Sequence, residues 1–325
     1  MPECAMAAAT DLFERRNRAR IVAVVVIAAA NYVLAVALAA VSVTLALVLL
    51  ALVKFEIFPD SVETLEWFGY GLGGITVVAF VVGTITALFR IPFARRSLEH
   101  RVLNETGAVV VADDSHREVR NLLAGLAIAA GIPEPRFAVI SDPAPNSFGV
   151  GTRPETAIVG VTTGLTDHLS RDELEAVLAY EVSRIRSWDV ALSSWTVALT
   201  GGALTALDAD GGALSSFIGW VPRHVAEWLQ VWALRDQGHE RDRAAVRFTR
   251  NPGSLVRALE KLDADRRQIG KVSRSTAPLW IEFPPKVLEG RSTRATRRLA
   301  ASLLLDERIA DLRELAHAAP DSGRA

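Results

Sequence analysis

The feature that most constrains this chain is an apolar run from residue 21 to residue 53 that contains no charged side chain. Uncharged apolar stretches of about 18 residues or more are typical of membrane-spanning helices. As one helix, the run would extend roughly 50 Å, against about 30 Å for the hydrocarbon core of a bilayer. We therefore predict one long membrane helix that tilts or projects beyond the lipid. Two re-entrant halves broken near Asn31 are the alternative.

A second apolar run covers residues 69–89, about one bilayer crossing, after an acidic connector at residues 54–68. Residues 21–89 thus read as two transmembrane helices joined by that connector. Basic clusters at residues 15–20 and 90–101 flank the pair. By the positive-inside rule both clusters are cytoplasmic and the connector is external. We expect a multi-pass protein of the cell membrane, with the lipid bilayer as a partner and the remaining chain in the cytoplasm.

The stretch from Ser170 to Asp189 has the pattern of a helix with a defined start. Ser170 and Glu173 have the spacing of a capping box. Apolar side chains then recur at helical spacing, at Leu174, Val177, Leu178, Val182 and Ile185. Residues 180–184 within this helix read Tyr-Glu-Val-Ser-Arg.

This helix resembles the active-site helix of the HtpX-like membrane zinc metallopeptidases, whose core reads H-E-x-x-H. In that gluzincin motif two histidines one turn apart bind Zn²⁺, and the glutamate is the general base. Further segments resemble the same family in the same order, at residues 143–151 (PAPNSFGVG), 251–262 (NPGSLVRALEKL) and 306–309 (DERI). The resemblance covers about residues 100–315 and the membrane helices before them.

The resemblance implies a mainly α fold with a small β-sheet (α+β), in which a zincin-like cytoplasmic domain is attached to transmembrane helices. The first part of that domain is expected at residues 90–189 and the second at residues 235–319. Residues 190–234 between them would form a membrane hairpin. The hydropathy of its first half supports a membrane location better than that of its second half. Residues 1–20 are expected to be a cytoplasmic arm, and residues 320–325 a disordered tail.

The three positions that bind zinc in the family are held here by Tyr180, Arg184 and Gly238. Tyrosine is a poor zinc ligand at neutral pH, arginine has no lone pair to donate, and glycine has no side chain. No two of the 6 histidines are four residues apart, and the single Cys4 excludes a site built from several thiolates. We therefore expect no cofactor, with Glu181 as a vestigial general base.

A buried glutamate without its metal needs another partner or a proton. Arg184, three residues after Glu181, is expected to pair with it and with an acid of residues 235–245, a stretch that resembles the second zinc-site helix of the family. The candidates are Asp242, which matches a supporting aspartate of the family, and Glu240. The alternative is that Arg184 is an ordinary surface residue.

Four residues, Asn146, Ser147, Phe148 and Gly149, fall where the family has the edge strand that lines its cleft. Such a strand can pair with an extended substrate backbone by β-augmentation. The alternative is a hairpin that only completes the fold, because any exposed edge strand can pair.

These features favour a pseudo-peptidase that binds membrane or unfolded protein clients or regulates an active peptidase. One alternative is an active zinc-dependent membrane metalloendopeptidase in protein quality control. A purely structural membrane protein is another. The net charge of −1 gives no argument for a nucleic-acid partner, and none is expected.

Overall fold

The computed structural model describes ten stretches of the chain. They are residues 15–30, 32–33, 36, 62–112, 115–208, 228–232, 238–265, 267–273, 276–282 and 305–318. Most of the first apolar run, the start of the connector, most of the second half of the predicted hairpin and the predicted tail lie outside them. The described residues are mainly helical with one small sheet, which confirms the α+β class.

The sheet contains β1 (Val109–Val110), β2 (Arg136–Ile140), β3 (Ser147–Val150) and β4 (Ile158–Thr162) in the order β1-β2-β4-β3. Strands β2 and β4 are parallel, and the other two pairs are antiparallel. Strand β3 is therefore the last strand in the sheet, beside β4. Gly160 of β4 leaves space for the ring of Phe148, since a Cβ at Gly160 would lie 2.1 Å from that ring.

Helix α1 spans Val62–Thr106, and the helices of the peptidase-like region follow it in the chain. They are α2 (Arg117–Ala130), α3 (Thr163–His168), α4 (Arg171–Arg186), α5 (Asp189–Asp208), α6 (Gly238–Thr249), α7 (Pro252–Ala264) and α8 (Leu305–Ala318). Helix α4 is central, because α2, α5, α6, α7 and β3 all pack against it. The predicted capping box is present, and every apolar residue of the predicted stripe is buried.

Helix α1 begins inside the predicted connector and runs without interruption through the second apolar run into the domain. Residues 15–30 are also helical. Asn17 is buried and donates from Nδ2 to the carbonyl oxygen of Ser187 at 2.8 Å, and the Arg18 guanidinium lies 4.3 Å from the centroid of the Trp188 ring. The end of the predicted arm thus packs against the end of α4. Within the described residues, no helix is both long and apolar enough to span a bilayer.

A pair of glycine substitutions tests the packing around the sheet. A Cβ at Gly164 would lie 2.1 Å from the backbone oxygen of Pro143, whereas a Cβ at Gly125, on the exposed side of α2, has nothing within 4 Å. We expect Gly164→Ala to lower the free energy of unfolding by about 1–3 kcal/mol or more. The control Gly125→Ala should raise it by about 0.5–1 kcal/mol. Thermal unfolding of both variants checks this, and similar midpoints would contradict the described packing.

Candidate active site

Glu181 lies at the centre of α4 with its side chain fully buried. Both carboxylate oxygens accept a hydrogen bond: Ser147 Oγ donates to Oε1 at 2.8 Å, and Arg184 Nη1 donates to Oε2 at 3.0 Å. Burial raises the pKa of Glu181, while the nearby Arg184 and Ser147 act in the opposite direction. Strand β3 reaches this carboxylate closely, since a Cβ at Gly149 would lie 3.0 Å from Oε2.

Arg184 is fully buried and contacts three different groups. Besides Glu181, its Nε donates to Asp189 Oδ2 at 3.0 Å, and its Nη1 also donates to the carbonyl oxygen of Leu279 at 3.0 Å. The other oxygen of Asp189 accepts from Arg241 Nη2 at 2.7 Å. These residues form a continuous buried chain of alternating charge. The alternative that Arg184 is a surface residue is therefore wrong.

The second acid that pairs with Arg184 is not one of the two that were predicted. The acid is Asp189, not Asp242, while the Glu240 side chain lies outside the described part of the structure. The physical reason is the junction after α4, where Trp188 has a left-handed φ of 61° and Asp189 begins α5 beside the guanidinium. Helix α6 instead contributes the cation Arg241.

Asp242 has its own buried partner, Arg308 of α8. Arg308 donates from Nε to Oδ2 at 2.8 Å and from Nη2 to Oδ1 at 2.7 Å, which is the bidentate geometry of a strong ion pair. Its Nη1 donates to the carbonyl oxygen of Ile281 at 3.0 Å. The Arg308 guanidinium carbon lies 4.9 Å from the ring centroid of Tyr180, and that of Arg184 lies 5.7 Å from it. Asp242 thus holds in place an arginine beside Tyr180 that sequence spacing alone did not identify.

The three positions that the resemblance assigns to zinc ligands hold residues whose chemistry does not fit a zinc ion. Tyr180 Oη and Arg184 Nη2 are buried without a hydrogen-bond partner among the described residues, and a guanidinium would add a second cation where the ion binds. Gly238, at the start of α6, has no side chain that could bind the ion. Within the described residues, no three His, Cys, Asp or Glu side chains are grouped to hold a metal ion.

The residues predicted to line the cleft, Asn146 to Gly149, are all buried. Phe148 of β3 pairs in antiparallel fashion with Trp280, on the side of β3 away from β4, and Ile281 N donates to the carbonyl oxygen of Ser147 at 2.9 Å. The Asn146 amide exchanges hydrogen bonds with the backbone of Glu282. The predicted pairing with a substrate stays a prediction, and the structure adds an internal partner that sequence reasoning missed. The apolar triplet at residues 279–281 is the sequence feature that could have indicated this internal partner.

Comparison with known proteins gives one consistent result. Residues 113–316 match the family described as Peptidase family M48. A protease HtpX homolog of Dictyoglomus turgidum is 30% identical over 73% of this chain and 82% of its own length. Homologs from Streptococcus gordonii and from Streptococcus pneumoniae strain Taiwan19F-14 are 31% and 33% identical over 68% and 73% of this chain, and over 80% and 85% of their own lengths.

The buried charge network predicts a large effect at Asp189. Asp189→Asn removes the anion shared by Arg184 and Arg241, and breaking a buried ion pair in this way costs about 3–5 kcal/mol. The matched control is Glu260→Gln, which breaks an exposed pair with Arg313 and should cost about 1 kcal/mol or less. Denaturant unfolding of the two variants checks the difference, and equal losses of stability would contradict the network.

Proposed function

Since the chain belongs to peptidase family M48, we propose that it is a catalytically inactive member that keeps the family's scaffold and peptide cleft. The observation that carries this proposal is the buried Arg184 guanidinium, which donates to Glu181 and to a backbone carbonyl from one nitrogen. A fixed cation therefore stands on the helix face where the family binds its metal.

The chemistry of that cation supports binding without hydrolysis. A zinc metallopeptidase needs a Lewis acid that lowers the pKa of a bound water, and a glutamate free to take the proton. A guanidinium donates hydrogen bonds to a carbonyl but has no position for a water ligand. Both oxygens of Glu181 are already engaged, by Ser147 and by Arg184. The site is suited to hold a peptide carbonyl and leave its amide bond intact.

The partners we propose are extended segments of membrane or unfolded proteins, or an active peptidase that this chain regulates. Zinc and nucleic acid are not among them. The relatives are named as proteases. In the family resemblance, the retained Glu181 stands at the position of the general base. The alternative is an active zinc-dependent membrane metalloendopeptidase, which a proteolysis assay would detect.

We further propose a multi-pass location in the cell membrane with the peptidase-like domain in the cytoplasm. The support is the two uncharged runs and their basic flanks. Helix α1 adds a second argument, because it leaves large apolar side chains exposed along the second run. They are Val77, Val78, Val81, Val82, Ile85, Leu88 and Phe89, each at least 48% exposed. An exposed apolar surface of this kind fits contact with lipid.

A proteolysis assay tests inactivity. Full-length protein in detergent is incubated with labelled casein as an unfolded substrate and with an unfolded membrane protein, with and without a zinc chelator. We expect cleavage by the wild type to equal that by Glu181→Gln, with no change on chelation, because the site offers no ligands for the ion. Glu260→Gln serves as a handling control. Chelator-sensitive cleavage that Glu181→Gln abolishes would establish the active enzyme instead.

Cysteine labelling tests the membrane orientation. Cys4 is the single cysteine of the sequence and falls in the predicted cytoplasmic arm. With a membrane-impermeant maleimide, we expect Cys4 to react only after the cells are permeabilised. In a Cys4→Ser background, Ser61→Cys in the predicted external connector should react in intact cells. The reverse pattern, or labelling of both positions in intact cells, would contradict the proposed topology.

A further inference from the structure

We infer that residues 276–282 are an internal occupant of the peptide cleft, so that an external peptide binds only after this segment leaves. This inference rests on the proposed function, because it concerns the same cleft. The segment comes after α7, more than a hundred residues from β3 in the chain, and yet lies against β3 and Arg184.

The backbone of the segment pairs with β3. Trp280 pairs with Phe148 in antiparallel register, and Ile281 N donates to the carbonyl oxygen of Ser147. Asn146 closes the end of this pairing with two hydrogen bonds to the backbone of Glu282, at 3.1 and 3.3 Å. The segment thus takes the place of an added strand at a sheet edge, which is how extended peptides are bound by β-augmentation.

Two buried arginines hold backbone carbonyl groups of the segment. Arg184 donates to the carbonyl oxygen of Leu279, and Arg308 donates to that of Ile281, both at 3.0 Å. Both guanidiniums are buried beside the ring of Tyr180. The Leu279–Trp280 peptide bond therefore lies beside the hydrogen-bonded pair of Arg184 and Glu181. In our proposal this peptide bond takes the position that a substrate amide would have next to the general-base glutamate of an active peptidase.

The side chains of the segment are also docked, mainly through apolar contacts. The Trp280 ring packs on Phe148 with 5.1 Å between centroids, and the flanking apolar residues are buried as well. Burial, with Asp263 and Asp265, raises the pKa of Glu282 to about 8, against the effect of Arg308. The end of the segment therefore docks as a largely neutral carboxyl at pH 7. Trp280 anchors the segment, and apolar residues on both sides extend the contact.

One contact of the anchor is incomplete. Trp280 Nε1 is buried without a hydrogen-bond partner among the described residues. A buried donor without a partner lowers the stability of the state that contains it. The regular pairing of the segment with β3 is also limited to a single bridge. The segment is therefore held less completely than a strand of the sheet, which makes exchange for an external peptide of similar chemistry feasible.

The test uses a fluorescein-labelled peptide with the sequence of residues 276–282, TAPLWIE, and a scrambled version. Ile281→Pro removes the N–H that donates to Ser147, while the matched control Ile281→Val keeps it. Fluorescence anisotropy with full-length protein should show the peptide binding to Ile281→Pro at least about tenfold more tightly than to the wild type or to Ile281→Val. The scrambled peptide should bind weakly to all three proteins.

Equal binding to the wild type and Ile281→Pro, or binding to neither when circular dichroism is unchanged, would overturn the inference. If Ile281→Pro does not fold, Trp280→Ala replaces it under the same criteria, because it removes the anchor and keeps the backbone donor. Failure of this experiment is distinct from failure of the proposed function. The proposed function is overturned by chelator-sensitive cleavage, whichever protein the peptide binds.

Discussion

The hydrogen bond from the Arg184 guanidinium to the Glu181 carboxylate is the interaction on which the rest of the structure depends. Both side chains are fully buried, and buried charges are tolerated only when they are paired and hydrogen-bonded. Asp189 and Arg241 extend the pair, and Asp242 with Arg308 forms a second one. Three acids and three arginines balance the charge, and together they connect α4 to α5, α6 and α8.

The same contacts connect the fold to the proposed function. Arg184 donates to Glu181 and to the carbonyl oxygen of Leu279. Arg308 donates to the carbonyl oxygen of Ile281, two residues further along the chain. At positions where the family resemblance implies a metal site, this chain has buried hydrogen-bond donors of fixed charge. We propose that such a site binds a peptide backbone without supplying the nucleophile that hydrolysis requires. The segment at residues 276–282 occupies this site in the structure, which is why we propose that client binding is coupled to its release.

Local sequence patterns predicted the elements that depend on neighbouring residues. The capping box, the buried stripe of α4 and the Glu181–Arg184 pair all follow from spacings of three or four residues. The partners contributed by Arg241 and Arg308 were not predicted, because they depend on how separate helices pack. The docking of Trp280 on Phe148 joins residues far apart in the chain, and no short-range spacing encodes it. The helical start at residues 15–20 was missed because its support is tertiary, through Asn17 and Ser187.

The most direct test of the central claim is the zinc content of the full-length protein, purified without chelator and measured by mass spectrometry of the metal. Our account predicts far less than one zinc ion per chain, even after incubation with excess zinc and removal of the unbound ion, because Arg184 takes the place of a ligand. Close to one tightly held zinc ion per chain, removable by a chelator, would contradict it.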